Sequence, residues 1–473
     1  MGSVVFGTPF SSPAEEAGSV ESTAATQTVA AAPQTLDLPD LLERAVDRNG
    51  QIRVSAAEVD EAKALYQAAQ ATAYPQLNIM SIFAGPTAEA KTRVQNDITT
   101  VTDASLGGDL NFGQLGVTFR GNVTLAQPLF TFGKVGNAKK AARHLVTASR
   151  HKVDLTSAEV VYNVHRAYWS LQLVRGFLKS LREGQETLAD ILVKIEELQE
   201  ADSVQVTEND RLRLVYALST LGVREAQAEA GGEQAEQALR LLVDLDAETP
   251  VDFKQRNLGD AVPDNAPPLA LQLESAKSAR PDLLALREVV EAQRDFIQLQ
   301  RSGLWPNIFV GAIMNFAVQT NATDQTNPFI FDPYNDFNVG AGLGFQYELN
   351  LAAGLAEVQR AKAQLETRLR QERLATDAIE LEVRNIHTQL EGGLQQLGKL
   401  YRANSAARGW LASSVLAYDI GAGDARELID AFLAFAASEG ELLTVQFDSI
   451  VRLADLARAS GRLLDLNADL GQP

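Results

Sequence analysis

The sequence predicts a mainly α-helical chain with a small membrane-type β part. Three observations predict it: two very long tracts without proline, four segments with two-residue alternation, and an internal duplication that repeats the whole arrangement.

Composition narrows the function first. The chain has 473 residues, with 61 Asp+Glu against 42 Lys+Arg, a formal charge of -19 and no cysteine. So acidic a balance repels phosphate backbones, and no nucleic acid is expected as a partner. Without cysteine, disulfides, thiolate metal sites and a cysteine nucleophile are excluded, as is a lipid attached through an N-terminal cysteine. Four histidines leave little material for a metal centre or a catalytic triad. No enzyme activity, cofactor or metal is expected.

Residues 1–35 are rich in Ser, Thr, Ala and Pro and nearly free of large apolar side chains. They read as a disordered tail or as signal-like material, with Val29-Ala30-Ala31-Ala32-Pro33 resembling the small-residue end of a secretory signal. No segment has the roughly 18 unbroken apolar residues of a spanning helix.

Proline spacing organises the rest. None occurs between Pro128 and Pro250, nor between Pro333 and Pro473, and both tracts are rich in Ala, Leu, Glu, Gln and Arg. Proline breaks helices and these residues favour them, so the tracts predict helices. In the first, Leu155, Ala158, Val161, Tyr162, His165 and Trp169 recur at spacings of three and four, and Leu188, Ile191, Leu192 and Ile195 continue the stripe. This predicts a helix from Lys134 to Glu200, about 100 Å long at ~1.5 Å per residue. A turn at Ala201-Asp202-Ser203 leads to a return helix from Val206 to Val243. The second tract predicts a helix over Leu355–Ala417, a turn at Asp419-Ile420-Gly421-Ala422-Gly423-Asp424, and a return helix over Arg426–Leu464. In that turn the glycines would supply unusual backbone conformations and Asp424 an N-cap.

The two halves align. The interval from Asn49 to Pro75 equals that from Arg280 to Pro306, and each ends aromatic-Pro-polar-apolar: Tyr74-Pro75-Gln76-Leu77 and Trp305-Pro306-Asn307-Ile308. A later strand leads to Gly133 in one half and Gly354 in the other. The expected organisation is a first repeat over 36–250, a Pro-rich linker over 251–280, a second repeat over 281–464 and a tail over 465–473.

Four strands carry the functional signal. Over Val117–Leu129 one face is Val117, Phe119, Gly121, Val123, Leu125, Gln127 and Leu129, and the other is polar. Over Asn338–Leu349, Val339, Ala341, Leu343, Phe345, Tyr347 and Leu349 alternate with polar residues or glycine. The strands after the two prolines, Gln76–Ala84 and Asn307–Val318, are less clean: Ser81 interrupts one apolar face, and Phe309 and Ile313 break one polar face. Transmembrane β-strands need about 9–11 residues in this pattern. An amphipathic sheet packed on a soluble core shows the same alternation, but helices too long for a globule favour the membrane reading. The joining segments Thr87–Phe112 and Gln319–Phe337 read as exposed loops. In the second, Phe329, Phe331, Tyr334 and Phe337 form either an interfacial aromatic band or a hydrophobic mini-core. Arg120 is expected toward a lumen. Only closed barrels satisfy every backbone group in lipid, and the smallest have about eight strands. Four strands therefore require oligomerisation, and three copies give twelve strands.

At this point the sequence resembles the TolC-like outer-membrane efflux proteins from about Leu36 to about Leu464. The resemblance is carried by Ala45-Val46-Asp47-Arg48-Asn49, the two aromatic-Pro strand entries, the run Leu125-Ala126-Gln127-Pro128-Leu129-Phe130-Thr131-Phe132-Gly133-Lys134, and Tyr418-Asp419-Ile420-Gly421. The second half departs from it, with Glu348-Leu349-Asn350-Leu351-Ala352-Ala353-Gly354 in place of Pro-Leu-Phe. The resemblance implies a homotrimer: a twelve-stranded barrel in the bacterial outer membrane continued by an α-helical barrel across the periplasm. It also implies docking on a periplasmic adaptor and an inner-membrane pump, of efflux or type I secretion type. By position it marks Asp419 and Asp424, with Glu200 and Asp202 in the other hairpin, as candidates for an acidic ring at the periplasmic gate. Threefold symmetry triples each carboxylate, and like charges in a narrow pore create a selectivity field. Asp424 also fits a plain N-cap, and the others fit solvated charges. His144, His151 and His165 share one helix about two and four turns apart, too far for one zinc, so a packed or solvated face is expected. The leading reading is a passive exit duct. The reading from another class is a soluble or surface coiled-coil scaffold whose β segments form a docking domain.

Overall fold

A computed structural model describes residues 34–91, 109–200, 207–246, 249–320, 335–347, 350–420 and 422–464. The expected N-terminal segment lies almost wholly outside them, as do the turn at 201–206, the tail, and Phe329, Phe331 and Tyr334 of the aromatic alternative.

The duplication is visible element by element. The first half runs β1 (Gln34–Leu36), α1 (Leu38–Arg48), α2 (Gly50–Ala71), β2 (Gln76–Lys91), β3 (Asp109–Phe130), α3 (Lys134–Glu200) and α4 (Glu208–Leu242). Between the halves lie β4 (Val251–Phe253), α5 (Leu258–Ala261) and α6 (Leu269–Ala279), so the Pro-rich segment carries structure of its own. The second half runs α7 (Pro281–Ser302), β5 (Asn307–Gln319), β6 (Asp336–Gln346), α8 (Leu351–Asp419) and α9 (Ala425–Ala459). Helices α2 and α7 each have 22 residues, α4 and α9 each have 35, and α3 and α8 have 67 and 69. Among the described residues no helix is long and apolar enough to cross a membrane.

The helix starts have local causes. Thr207 and Asp210 form a capping box at α4, and Asp37 and Asp40 do the same at α1. Asn350 Oδ1 accepts from the Ala353 amide at 3.3 Å to open α8. That cap places the helix start at Leu351, so Gly354 sits inside its first turn, earlier than the expected start at Leu355.

The short helices stack on the return helices to match one long helix. At the first junction Asn49 accepts from the Gln51 amide at 2.9 Å to cap α2, and its Nδ2 donates to Leu242 O, at the end of α4, at 2.9 Å. At the second, Arg280 Nη1 donates to Ala459 O, at the end of α9, at 3.3 Å. The result is four lanes in one layer: α2 with α4, then α3, then α7 with α9, then α8. Around the first junction a core gathers Leu41, Val160, Val164, Tyr168, Leu239 and Phe253, with β1 and β4 pairing in parallel beside it.

The strands form one antiparallel sheet in the order β2-β3-β5-β6. Two strand ends differ from expectation. The first hairpin is longer: β2 pairs on through Lys91, opposite Asp109, so both ends of Thr87–Phe112 are ladder, with two register shifts, and residues 92–108 lie outside the described set. The last strand ends at Gln346, before Tyr347, while residues 348–349 lie outside the described set.

Candidate functional site

In an antiparallel pair, directly opposite residues share a face, so the register sorts the side chains. Leu77, Ile79 and Phe83 of β2 oppose Leu125, Val123 and Phe119 of β3. Phe119, Val123 and Leu125 oppose Val318, Met314 and Ala312 of β5, and Phe316, Met314 and Val310 oppose Phe337, Val339 and Leu343 of β6. One largely apolar face therefore runs across all four strands, interrupted by Ser81 opposite Gly121, and Phe119 meets Phe316 edge-on at 5.7 Å. Among the described residues nothing covers it: Leu343 is 78%, Phe345 77% and Phe83 75% exposed. An exposed apolar wall of this extent suits lipid.

The opposite face is mixed: β3 and β6 present mostly polar or small residues, while Met80 and Ile82 of β2 and Phe309 and Ile313 of β5 also lie on it. Asn122 Nδ2 donates to Asn315 Oδ1 at 2.6 Å, Thr124 Oγ1 to Asn122 Oδ1 at 3.0 Å, and Thr118 Oγ1 to Gln319 Oε1 at 3.1 Å. Arg120 lies on this face, as expected of a lumen residue. Phe309, which breaks the pattern, has a glycine opposite. A Cβ on Gly344 would stand 2.6 Å from Phe309 Cζ, so the bare backbone of β6 makes room for the ring.

The barrel-to-helix residues assemble between the repeats. Pro75 and Pro306 follow the ends of α2 and α7 and stand directly before β2 and β5. Pro128 opposes Phe309 just before a register shift at Phe130, at the end of the ladder where a missing N–H costs least. Phe132 (φ 51) and Gly133 (φ +94) then turn the chain, and Phe132 stacks on Trp305 at 5.4 Å. Lys134 Nζ donates to Trp305 O at 3.0 Å and to Asn307 Oδ1 at 2.9 Å. The first repeat's Gln-Pro-Leu-Phe run thus grips the second repeat's Trp-Pro-Asn entry. Gly354 acts differently: a Cβ there would lie 2.5 Å from Leu304 Cδ2, so it permits close packing.

At the other end the two hairpins pack on each other. Leu188, Ile191 and Ile195 of α3, Leu214 and Leu221 of α4, and Leu428, Ile429 and Phe432 of α9 form one buried cluster. Lys194 Nζ donates to Asp419 Oδ1 at 2.5 Å, tying α3 to the end of α8, and this carboxylate holds the lysine pKa above its ordinary value. Burial pushes the Tyr418 phenol up, against the opposing pull of Lys194 and with Asp210 and Asp419 adding to the rise. Above this cluster a groove of about 1040 Å³ separates α4 from α9, with α3 as its floor. Phe177, Tyr216, Arg224, Phe432 and Leu433 line it, and Gly184 admits the Phe432 ring where a Cβ would clash at 2.5 Å.

Residues 41–201 match the family model described as outer membrane efflux protein. The probable outer membrane lipoprotein SilC of Salmonella typhimurium is 24% identical over 433 residues, covering 89% of this chain and 85% of that protein. Over residues 41–201, and along most of its length by the likeness to SilC, the chain is similar to the outer membrane efflux proteins. Its fold is that of a solved membrane protein from Pseudomonas aeruginosa (TM-score 0.73, 16% identity, 95% of this chain and 96% of that one). It is also that of the Neisseria gonorrhoeae outer membrane channel MtrE in its open state (TM-score 0.69, 19% identity, 90% and 89%). SilC and MtrE are described as outer-membrane proteins, and the apolar sheet face of this chain suits lipid.

The gate candidates separate in their surroundings. Asp419 is exposed but paired with Lys194. Asp424 is exposed and caps α9, its Oδ1 accepting from the Arg426 amide at 3.1 Å. Glu200 ends α3 with its side chain outside the described set, and Asp202 lies outside it altogether. Gly423 differs from the expectation for its turn: its φ is not positive, and a Cβ would lie 2.7 Å from the Tyr418 amide nitrogen, so close approach is what requires glycine. Gly421 lies outside the described residues. Sequence reasoning missed Lys194. It is one lysine on a charged helix, and nothing local points to a partner in the other repeat.

Proposed function

We propose that three copies of this chain form a passive channel-tunnel through which a tripartite pump, of efflux or type I secretion type, discharges its cargo from the periplasm. One observation carries the reading: the strands and the helix lanes are laid out in the same order. Strand β2 continues α2 on one border, and β6 leads into α8 on the other. Among the described residues both border strands lack a second partner, and the border helices expose Leu65, Tyr216 and Val223 on one side and Leu374, Leu381 and Leu416 on the other. A sheet edge in lipid must be paired. Pairing β2 of one copy with β6 of the next closes twelve strands and sets each α8 beside the neighbour's α2 and α4. The channel needs no cofactor and catalyses nothing; it opens when partners act on it.

The hairpin tips serve as the periplasmic gate. Asp419, Asp424, Glu200 and Asp202 are its acidic candidates, and the groove between α4 and α9 receives a periplasmic adaptor that links the tunnel to the inner-membrane pump. Purified protein in a planar bilayer tests the duct: discrete openings from a particle of three chains support it. Release of the chain from membranes by a salt wash, or a lasting lack of conductance, would overturn it in favour of a coiled-coil scaffold. Asp419→Asn with Asp424→Asn should weaken block by multivalent cations; unchanged block would remove both from the gate.

A further inference from the structure

His144 of α3 is held between two carboxylates of α7. Its Nδ1 lies 2.6 Å from Glu288 Oε2 and its Nε2 3.7 Å from Asp295 Oδ2. All three side chains are partly exposed, at 35%, 28% and 21%. Helix α3 belongs to the first repeat and α7 to the second, so the contact spans the seam between them. The seam is also held nearer the sheet, where Asn137 Nδ2 donates to Ser302 Oγ at 3.2 Å.

A neutral imidazole has one N–H and one bare nitrogen, so it satisfies only one of these carboxylates and presents a lone pair to the other. An imidazolium donates from both nitrogens. The neighbouring charges have partners of their own. On α7, Glu291 pairs with Arg294 at 3.1 Å, and Arg287 with Glu372 of α8 at 3.4 Å. On α2, which packs on another flank of α3, Asp60 pairs with Lys63 at 2.8 Å and Glu58 with Lys152 at 2.7 Å. On α3 itself, His151 faces Asp154 at 3.5 Å, and Lys139, Lys140 and Arg143 precede His144.

We propose that His144 is a proton-operated clamp on the seam between the two repeats, just below the sheet. With two ring protons it ties α3 to α7 through Glu288 and Asp295 together. When one proton leaves to water, the tie to Glu288 persists and the Asp295 contact turns repulsive, so the seam loosens where the helical layer meets the sheet.

The native sequence has no cysteine, so two introduced ones report cleanly. Spin labels on Lys140→Cys of α3 and Gln298→Cys of α7, both exposed and each lying between the Asn137–Ser302 and His144–Asp295 contacts in sequence, are read by pulsed dipolar spectroscopy on the full chain in lipid nanodiscs. The expected result is a distance distribution that broadens between an acidic and an alkaline buffer. His144→Asn keeps an N–H for Glu288 but gains no second proton, and in that background the breadth should not change with pH. Asp295→Asn should likewise abolish the change, and it keeps the test open if the first variant folds poorly. A pH-independent distribution in the His144 protein, or the same broadening in both variants, would overturn the clamp.

Discussion

Lys194 of α3 and Asp419 at the end of α8 form an ion pair of 2.5 Å between residues 225 apart in sequence. It joins the two hairpins at their tips, beside the buried cluster that packs them together. Both partners are about half exposed, at 52% and 46%, so the pair contributes position more than stability.

Removing this tie should free the tips without unfolding them. Lys194→Met or Asp419→Asn is expected to lengthen the conducting dwell in single-channel records at neutral pH, and the swapped pair Lys194→Asp with Asp419→Lys to restore the closed dwell. High salt should mimic the single variants in part, because exposed charges are screened within about 8 Å at physiological ionic strength. Dwell times that ignore the variants and the swap alike would exclude the pair from gating.

Asp424→Ala should behave differently. Its side chain caps α9, and losing a cap costs about 1 kcal/mol. The expected outcome is a lower thermal midpoint with closed dwell times kept. A changed dwell at unchanged stability would show that Asp424 acts on opening itself and not only through the cap and cation block.

The packed tip should be sensitive to cavities. Leu188 and Leu214 are fully buried between the hairpins, and truncating either to Ala is expected to cost about 2–4 kcal/mol in denaturant unfolding of the full chain.

The two sheet faces should differ sharply. Leu343→Arg places a charge on the exposed apolar face and should cost about 2–4 kcal/mol if near the bilayer midplane, read as loss of outer-membrane assembly. Thr124→Arg, on the opposite face beside Asn122, should assemble and alter ion selectivity.

Acid should release the first junction. Burial alone would raise the Asp37 carboxyl, but hydrogen bonds from Arg256, the Leu38 amide and Lys254 lower it to about 2. A group depressed on folding stabilises above its unfolded pKa and loses that contribution as pH falls through the folded one. The contribution, about 1–2 kcal/mol after discounting for solvent screening, should be complete above about pH 4 and fade toward about pH 2. Asp37→Asn should remove that slope from thermal midpoints measured across the window.

Much of this fold is legible in one dimension. The Pro-free tracts predict α3 with its observed ends, Lys134 and Glu200, because helix propensity and apolar spacing are properties of neighbours in sequence. Alternation likewise marks the four strands and their lipid face, since side chains reverse at every residue of a strand. The aromatic-Pro signals mark two strand starts without error, Gln76 and Asn307. Strand ends were less legible: the ladder of the first hairpin persists into an Asn- and Thr-rich segment because the partner strand supplies the hydrogen bonds that composition does not advertise.

Tertiary structure alone decided which residues meet. Lys134 reaches Trp305, Asn49 reaches Leu242, His144 enters a gap between Glu288 and Asp295, and Lys194 finds Asp419. Each contact joins distant parts of the chain, and three of the four cross from one repeat to the other. Periodicity records which face a side chain takes, but not which residue waits on the facing helix. That depends on the order of lanes and their register, which only the packed chain fixes.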